Sequence, residues 1–309
     1  MSLFTMIAVL LIEQIRPLPY AAVVGAPLER WAGWLEARFN AGGRSRGIVA
    51  WLLGVGSLVL VSGIVYALLS AISPVSAWIW SVLILYLTMG FRQFSHYYTD
   101  IQLALRLGDL SHAREVLGEW RGVRSDDLSA AAIARESIRC ALAASHTHVF
   151  GVVVSYVLLP GPCGAVLYRA AAFFADRWGC RAVPGADDFG GFARRAFTII
   201  DWLPARLTAS AFAVVGNFEN AVYCWRAQAS GGIAEARTGR NQAVVVAAGV
   251  GALGSLSAEA LDNDVGGGVG SDEESGLDLM QSAVGLVWRA LLLWLLLLIL
   301  FELARLVAS

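Results

Sequence analysis

The chain has 309 residues, of which 57% are hydrophobic and 15% are charged, and its formal net charge at pH 7 is −1. Its mean hydropathy is +0.63, whereas a soluble domain carries about 25% charged residues. The composition therefore predicts an integral membrane protein, and the balanced charge does not indicate a nucleic-acid partner. All the basic residues are arginines, which excludes chemistry that needs a lysine, such as a Schiff base or a phosphate-loop lysine.

The N-terminal apolar run ends near Glu13. No positively charged region precedes the run and no small-residue cleavage site follows it, so it does not have the form of a signal peptide. A full span needs about 20 apolar residues, and the shorter run predicts a re-entrant or interfacial helix. Glu13 either marks the membrane interface or partners a buried arginine. Arg169 and Arg206 are the natural partners, because each lies in an apolar stretch.

Two apolar segments, 47–72 and 75–91, are separated by a Ser-Pro turn and predict a transmembrane helical hairpin. Arginines flank both outer ends of the hairpin, so the positive-inside rule puts both ends in the cytoplasm and the turn outside. Residues 92–145 mix polar and apolar positions at helical spacing. They predict cytoplasmic amphipathic helices with a break near Gly122.

Arg92, His96 and Asp100 recur every four residues in this region and share one helical face. That face either binds an anion or relays protons, or it is a solvated face with ion pairs. Further along, Asp109 precedes residues that predict a helix start. His146 and His148 stand two positions apart and point to different faces of a helix, so they do not predict a metal site.

The second half of the chain is a series of short apolar pieces. Two arms, 149–159 and 165–175, predict either a tilted hairpin or a re-entrant pair packed on protein. The pieces 203–216 and 243–256 have the form of segments that line polar cavities, and small residues in the latter favour close packing against a partner span.

The remaining sequence predicts an acidic Gly-rich linker at 262–276 and a final span over 284–301. The domain organisation predicted is a membrane domain at 1–261, this linker, and a C-terminal transmembrane helix at 277–309.

The segment 201–209 places an acid, Asp201, a proline, Pro204, and a base, Arg206, in a run that otherwise has the composition of a buried helix. Proline breaks the helical hydrogen-bond ladder. An ionisable group in such surroundings usually has a partner or a task.

Three pieces of sequence, in matching order over about residues 1–226, resemble motifs of the CobD/CbiB superfamily of membrane proteins. They are Gly108-Asp-Leu-Ser-His-Ala-Arg114, Gly161-Pro-Cys-Gly-Ala-Val-Leu-Tyr168-Arg169 and Pro204-Ala-Arg206-Leu-Thr-Ala209. The cobalamin branch of this family is adenosylcobinamide-phosphate synthase, which forms an amide on a corrin at the expense of ATP. A second branch is AmpE, which is named for its link to β-lactamase regulation.

The chain departs from the synthase branch at most of its polar positions. It has Ala143, the triplet His146-Thr147-His148, Gly151 and Ala172–Arg177 where the synthases carry an acid, an AEN triplet, an Asp and an NTLDSM stretch. It has Phe197 and Thr198 where two acids precede the third motif, and Asp201 where an Asn stands. Carboxylates that would hold metal-bound phosphates are therefore replaced, and apolar residues are expected to fill the former polar site.

The AmpE branch matches more closely, at Ser2-Leu-Phe-Thr5, at Glu13, at Asp201–Leu207, and at Gly216 and Glu219. The favoured hypothesis is a non-catalytic, AmpE-like regulatory or accessory protein of the bacterial inner membrane. It would bind another membrane protein, a second copy of itself, or an anionic ligand. The alternative is a diverged adenosylcobinamide-phosphate synthase.

The fold predicted is all-α and polytopic, with helical hairpins, short re-entrant helices and cytoplasmic amphipathic helices. The lipid bilayer is an expected partner, and no catalytic residue, metal or cofactor is predicted. In the binding hypothesis Asp201 and Glu13 neutralise Arg206 or Arg169. The candidate binding residues are Glu13, Arg92, His96, Asp100, Asp109, Arg114, Arg169, Asp201, Pro204 and Arg206.

Overall fold

A computed structural model describes residues 2–15, 20–39, 44–123, 127–179, 189–230, 239–254 and 271–308. Regular structure in these ranges is helical, which confirms the predicted fold class. The α-helices are α1 (Ser2–Ile15), α2 (Ala26–Phe39), α3 (Arg44–Ile72), α4 (Pro74–Thr88), α5 (Phe91–Arg106), α6 (Leu110–Arg121), α7 (Ala130–Ser145), α8 (Gly151–Leu158), α9 (Cys163–Gly179), α10 (Phe189–Ile200), α11 (Trp202–Val215), α12 (Phe218–Ser230), α13 (Arg240–Ala252) and α14 (Ser271–Ala308). Two π-helical turns, Ala21–Gly25 and His146–Phe150, precede α2 and α8.

Three helical stretches in the described ranges are long and apolar enough to cross a membrane: Ser45–Ile72, Ala130–Leu158 and Gly276–Ala304. The pair α10 and α11, bent by 47° at its break, would make a fourth. The chain is therefore a multi-pass membrane protein. Helices α1 and α4 are apolar but shorter than a span, so the second arm of the predicted hairpin is shorter than its sequence suggests.

The hairpin between α3 and α4 forms where the sequence predicts it. The Ser73 hydroxyl accepts a hydrogen bond from the amide of Val75 at 3.2 Å, and Pro74 occupies the first helical position. A serine cap satisfies one of the free amides at a helix start. Proline at that position has no amide to satisfy. These two residues end one helix and start the next within a single turn.

The structure joins two segments that the sequence interpretation keeps apart, an amphipathic helical region up to residue 145 and an apolar arm at 149–159. In the structure α7 continues through the π-helical turn His146–Phe150 into α8. A π-turn holds one more residue than a regular turn, so it shifts the apolar stripe around the helix. The shift makes one helix resemble two segments when only hydropathy is considered.

The described chain forms two compact units, and the first contains residues 1–90, 147–204 and 301–309. In this unit α9 packs against α3, α8 and α10. A Cβ added at Gly54 of α3 would lie 2.8 Å from the Phe174 ring, and one at Gly47 would lie 2.5 Å from the Phe189 carbonyl oxygen. These glycines allow the helices to approach closely, as small residues do in membrane proteins.

The second unit contains residues 91–146 and 205–300. Its α13 packs against α12 and α7, and a Cβ at Gly251 would lie 2.5 Å from the Asn220 carbonyl oxygen. The small residues of α13 are therefore buried within this unit. The sequence analysis expects these small residues to pack against a partner span. In the structure they pack against α12 and α7 of the same chain.

The predicted linker overlaps the start of α14, which begins at Ser271. Residues 271–276 are thus helical, and residues 255–270 lie outside the described residues. The predicted division into a membrane domain, a linker and a terminal helix stays a prediction.

Candidate functional site

A buried hydrogen bond joins α9 to the break between α10 and α11. The Tyr168 hydroxyl donates to Asp201 Oδ1 at 2.7 Å, and the two residues are 0% and 3% exposed. Asp201 stands at this break because Pro204, four residues after Ile200, has no amide to donate to the Ile200 carbonyl and its ring crowds that oxygen. The proline thus places a carboxylate between two helices, where Tyr168 stabilises it.

The Tyr168 ring packs against Gly151 and Phe197, two positions at which this chain departs from the synthase pattern. A Cβ added at Gly151 would collide with the Tyr168 phenol, and the Phe197 ring lies 5.5 Å from the Tyr168 ring, centroid to centroid. Gly151 and Phe197 stand where the resemblance leads us to expect acidic side chains. Any side chain at 151 would have to displace the Tyr168 ring, so the present packing depends on this glycine.

Arg169, the next residue on α9, interacts with a tyrosine near the N-terminus. Its Nε donates to the Tyr20 hydroxyl at 3.1 Å, and its guanidinium carbon lies 5.0 Å from the centroid of the Tyr20 ring. A cation over an aromatic face gains about 0.5–2 kcal/mol. Arg169 is half-buried, so these contacts fix the direction of a charge that remains partly accessible.

Two further polar pairs lie in the second unit. His146 Nδ1 is 3.0 Å from the Thr208 hydroxyl, and both residues are buried. Arg206 Nη1 donates to Asn241 Oδ1 at 3.3 Å. Thr208 and Arg206 both belong to the third motif, so this motif supplies polar partners to α7 and α13. Buried polar groups need such partners because an unpaired one is costly.

The first motif builds a helix start and fixes a loop. Gly108 has a φ of +73°, which favours glycine. Asp109 then caps α6: its Oδ1 accepts from the Ser111 hydroxyl at 2.6 Å and from the His112 amide at 3.0 Å. These hydrogen bonds, in that order of effect, hold the pKa of the Asp109 carboxyl below its usual value. Arg114 Nε donates to the Leu128 carbonyl at 2.9 Å and secures the following loop.

The remaining candidates are dispersed. Arg92, His96 and Asp100 share a face of α5, as predicted, and all three are exposed. His96 Nδ1 lies 3.1 Å from the Arg92 carbonyl oxygen. Glu13 is buried in α1, a position that fits a partner role better than an interfacial one. The binding roles of these residues, and the pairing of Glu13 or Asp201 with Arg206 or Arg169, stay predictions.

Sequence reasoning did not single out Tyr20 or Asn241, which are isolated polar residues without a motif signal of their own, and it gave Thr208 of the third motif no role. It also passed over Arg289, although a charge inside the span Gly276–Ala304 is a strong signal. Arg289 donates from Nη1 to the Val215 carbonyl and from Nε to the Gly285 carbonyl, each at 3.2 Å. It thus satisfies a carbonyl at the C-terminal end of α11, where a cation is favourable.

The described residues contain no group of three or more His, Cys, Asp or Glu side chains that could hold a metal ion.

Comparison with known proteins gives a consistent result. A family model described as "CobD/Cbib protein" matches residues 15–257. The "Cobalamin biosynthesis protein CobD" of Stutzerimonas stutzeri is 29% identical over 308 residues, covering 97% of this chain and 98% of the relative. The protein of the same name from Chromobacterium violaceum is 35% identical over 173 residues, covering 56% of this chain and 53% of the relative. No solved structure matches the chain. Both relatives carry the cobalamin name rather than the AmpE name.

Proposed function

Because the chain belongs to the CobD/CbiB family, we propose that it acts in cobalamin biosynthesis as a diverged membrane-bound adenosylcobinamide-phosphate synthase. One relative with a cobalamin name aligns with nearly the whole chain, which supports this branch over the AmpE-like regulator that the sequence favours. The proposal thus adopts the alternative hypothesis.

The observation that carries the proposal is the contact between two family motifs. Tyr168 belongs to the second motif and Asp201 immediately precedes the third, and their side chains share a 2.7 Å hydrogen bond although 33 residues separate them. Burying a tyrosine and a carboxylate inside a membrane protein costs free energy. Such a pair is therefore expected to have a structural or functional role. In the proposal this pair forms the floor of the substrate site.

Arg169 is the residue proposed to meet the substrate. Its half-buried guanidinium is oriented by the Tyr20 ring and hydroxyl. Arginine suits carboxylate and phosphate groups because its planar fork donates two parallel hydrogen bonds. Arg169 would hold an anionic group of the substrate, and Asp201 would orient the Tyr168 hydroxyl. No step is assigned to a nucleotide or a metal ion.

Complementation tests the proposal directly. A bacterial strain without its own adenosylcobinamide-phosphate synthase, supplied with cobyric acid, is expected to grow in a cobalamin-dependent medium when it expresses this chain. Arg169→Met is expected to abolish growth, and Arg139→Met, which changes an exposed arginine on α7, is the matched control. Failure of the wild-type chain to support growth, with the protein present in the membrane fraction, would contradict the proposal.

A second candidate is a non-catalytic binding protein of the AmpE type. The packing of Tyr168 against Gly151 and Phe197 favours it, because these residues occupy positions where the synthases carry acids. In this case the chain would not complement the synthase. It would instead be recovered from native membranes with a stoichiometric protein partner, which mass spectrometry of a gentle-detergent preparation would identify.

A further inference from the structure

A cavity of about 440 Å³ lies in the first unit, apart from the Tyr168–Asp201 pair. Its walls come from α1, α3, α4, the end of α8 and the end of α14. Ser70, Pro74 and Phe301 line it and are exposed, so the cavity opens at the protein surface. Its volume is within the range of small-molecule sites, about 300–1,000 Å³.

The cavity lies at the ends of the membrane spans. The span Ser45–Ile72 ends two residues after Ser70, and the span Gly276–Ala304 ends two residues after Glu302. Aromatic side chains collect at this depth, where the bilayer meets water. The cavity is therefore within reach of both a lipid headgroup and a water-soluble molecule.

Four aromatic residues line the cavity: Tyr66, Trp78, Tyr156 and Phe301. The Tyr156 phenol is held by hydrogen bonds with the side chains of Thr5 and Ser81, which also line the cavity and are buried. Tyr156 is thus a fixed wall rather than a mobile side chain. Aromatic faces held in this way attract cations through the negative potential of their rings.

The charged side chain among the described residues that line the cavity is a carboxylate, that of Glu302. A carboxylate beside four aromatic rings favours a positively charged ligand and disfavours an anion. A metal ion is a poor fit, since the other polar groups are hydroxyls and hard cations prefer several carboxylate or carbonyl ligands. Aromatic rings with one carboxylate form the typical site for an organic ammonium group.

We propose that this cavity binds an organic ammonium group, with Glu302 as the counter-charge and Tyr66, Trp78 and Tyr156 as the aromatic walls. The site is separate from the proposed synthase site and does not depend on it. The ammonium group belongs either to a small soluble amine or to the headgroup of a zwitterionic lipid. Both present the same chemistry to the cavity.

Choline and its uncharged carbon analogue 3,3-dimethyl-1-butanol distinguish cation binding from simple apolar filling. Binding to the purified full-length protein in detergent is measured by isothermal titration and by quenching of tryptophan fluorescence. We expect choline to bind at least about tenfold more tightly than the analogue, a factor that corresponds to about 1.4 kcal/mol. Equal affinity for the two compounds would overturn the proposal.

Matched variants locate the site. Glu302→Gln keeps the size of the side chain and removes the charge, and it is expected to weaken choline binding about tenfold. Trp78→Leu is expected to do the same through loss of an aromatic face. Glu219→Gln changes an exposed acid on α12 and is expected to leave binding unchanged. Choline binding that survives Glu302→Gln in a protein with a wild-type unfolding temperature would also overturn the proposal.

Lipid retention separates the two sources of the ammonium group. Native mass spectrometry of the protein from nanodiscs with equal phosphatidylethanolamine and phosphatidylglycerol is expected to show retained phosphatidylethanolamine that Glu302→Gln releases, if the ligand is a lipid. If the ligand is soluble, no lipid preference is expected and choline binds in phosphatidylglycerol nanodiscs as well as in detergent. Preferential retention of phosphatidylglycerol, with no choline binding, would contradict both.

Discussion

Asp201 and Tyr168 form the best-defined polar contact among the candidate residues, and each depends on the other because both are buried. The carboxylate needs a donor to offset its desolvation, and the phenol needs an acceptor. Asp201 also stands where the synthase pattern has an Asn. An asparagine oxygen could accept the same hydrogen bond, so the contact is compatible with either residue.

Substitution at Asp201 separates the hydrogen bond from the charge. Asp201→Ala removes the acceptor of a buried hydroxyl and is expected to cost about 1–3 kcal/mol of stability. Asp201→Asn keeps an acceptor for the Tyr168 hydroxyl, so its thermal unfolding temperature should exceed that of the alanine variant. Both are measured on purified protein in detergent. An alanine variant as stable as the asparagine variant would show that the hydrogen bond contributes little.

The stability of the first turn of α6 depends on pH through the carboxyl group of Asp109. Hydrogen bonds from Ser111 and His112 lower the pKa of its carboxyl in the folded protein, so its stabilising effect is full above the ordinary pKa, near 4. The effect is lost as the pH falls through the lower folded-state pKa. We expect hydrogen-exchange protection of residues 110–113 to fall selectively in this acidic range. Asp109→Asn keeps a capping acceptor without a titratable group, and its protection should not show this pH-dependent loss.

Sequence reasoning recognised some site residues and missed others for a physical reason. Asp201, Pro204 and Arg206 are conspicuous because a charge or a proline in an apolar run is rare. Tyr20 has no such signal, since tyrosine is common in membrane proteins and needs no charged partner, and Tyr168 is marked by its motif but not by its partner. Their roles depend on contacts across 149 and 33 residues, which only the fold supplies.

Helix α9 is the central element of the first unit, and its packing depends on glycines in α3. At Gly47 the neighbour is the Phe189 backbone, which cannot move aside as a flexible side chain can. At Gly56 no atom lies within 4 Å of an added Cβ. The two glycines belong to the same helix and differ only in their surroundings.

This difference yields a paired test. Gly47→Ala forces α10 away from α3 and is expected to destabilise the protein by about 1–3 kcal/mol, the usual cost of overpacking. Gly56→Ala meets open space and improves helix propensity, so its unfolding temperature should equal or exceed that of the wild type. Unfolding temperatures in the same detergent test both. If Gly47→Ala unfolds at the wild-type temperature, the close approach of the two helices is wrong.

At the element scale, length and hydropathy predict α3, α14 and the Ser-Pro turn, because a long apolar run has few alternatives. They also predict the start of α6 at Asp109. They do not predict the continuous helix Ala130–Leu158, because its polar first half has the pattern of a water-exposed helix. Protein covers the buried positions of α7, among them Ser137 and Ser145, so those positions do not need an apolar side chain.

At the scale of the whole molecule, the ends of three membrane spans line the cavity of about 440 Å³ in the first unit. Ser70 at the end of α3, Tyr156 near the end of α8 and Glu302 near the end of α14 all line it. These three spans therefore end on the same face of the membrane, the face of the Ser73-Pro74 turn. The positive-inside rule puts that turn outside the cytoplasm.

The C-terminus is accordingly expected on the non-cytoplasmic face. Alkaline phosphatase fused after residue 309 should be active, because the enzyme folds only outside the cytoplasm, whereas a fusion after residue 121 should be inactive. Green fluorescent protein at the same two positions should give the reverse pattern. Two fusions that report the same compartment would contradict the shared end of α3 and α14.

The π-helical turn His146–Phe150 has a consequence for comparing this chain with its relatives. Removing one residue there would restore a regular α-helix and rotate everything beyond it by about 100°. Gly151 would then turn away from Tyr168, and a residue with a side chain would take its place. A one-residue gap in an alignment of this region would therefore signal a larger structural difference than many substitutions. It would change which face of the second half of the helix contacts the motif residues.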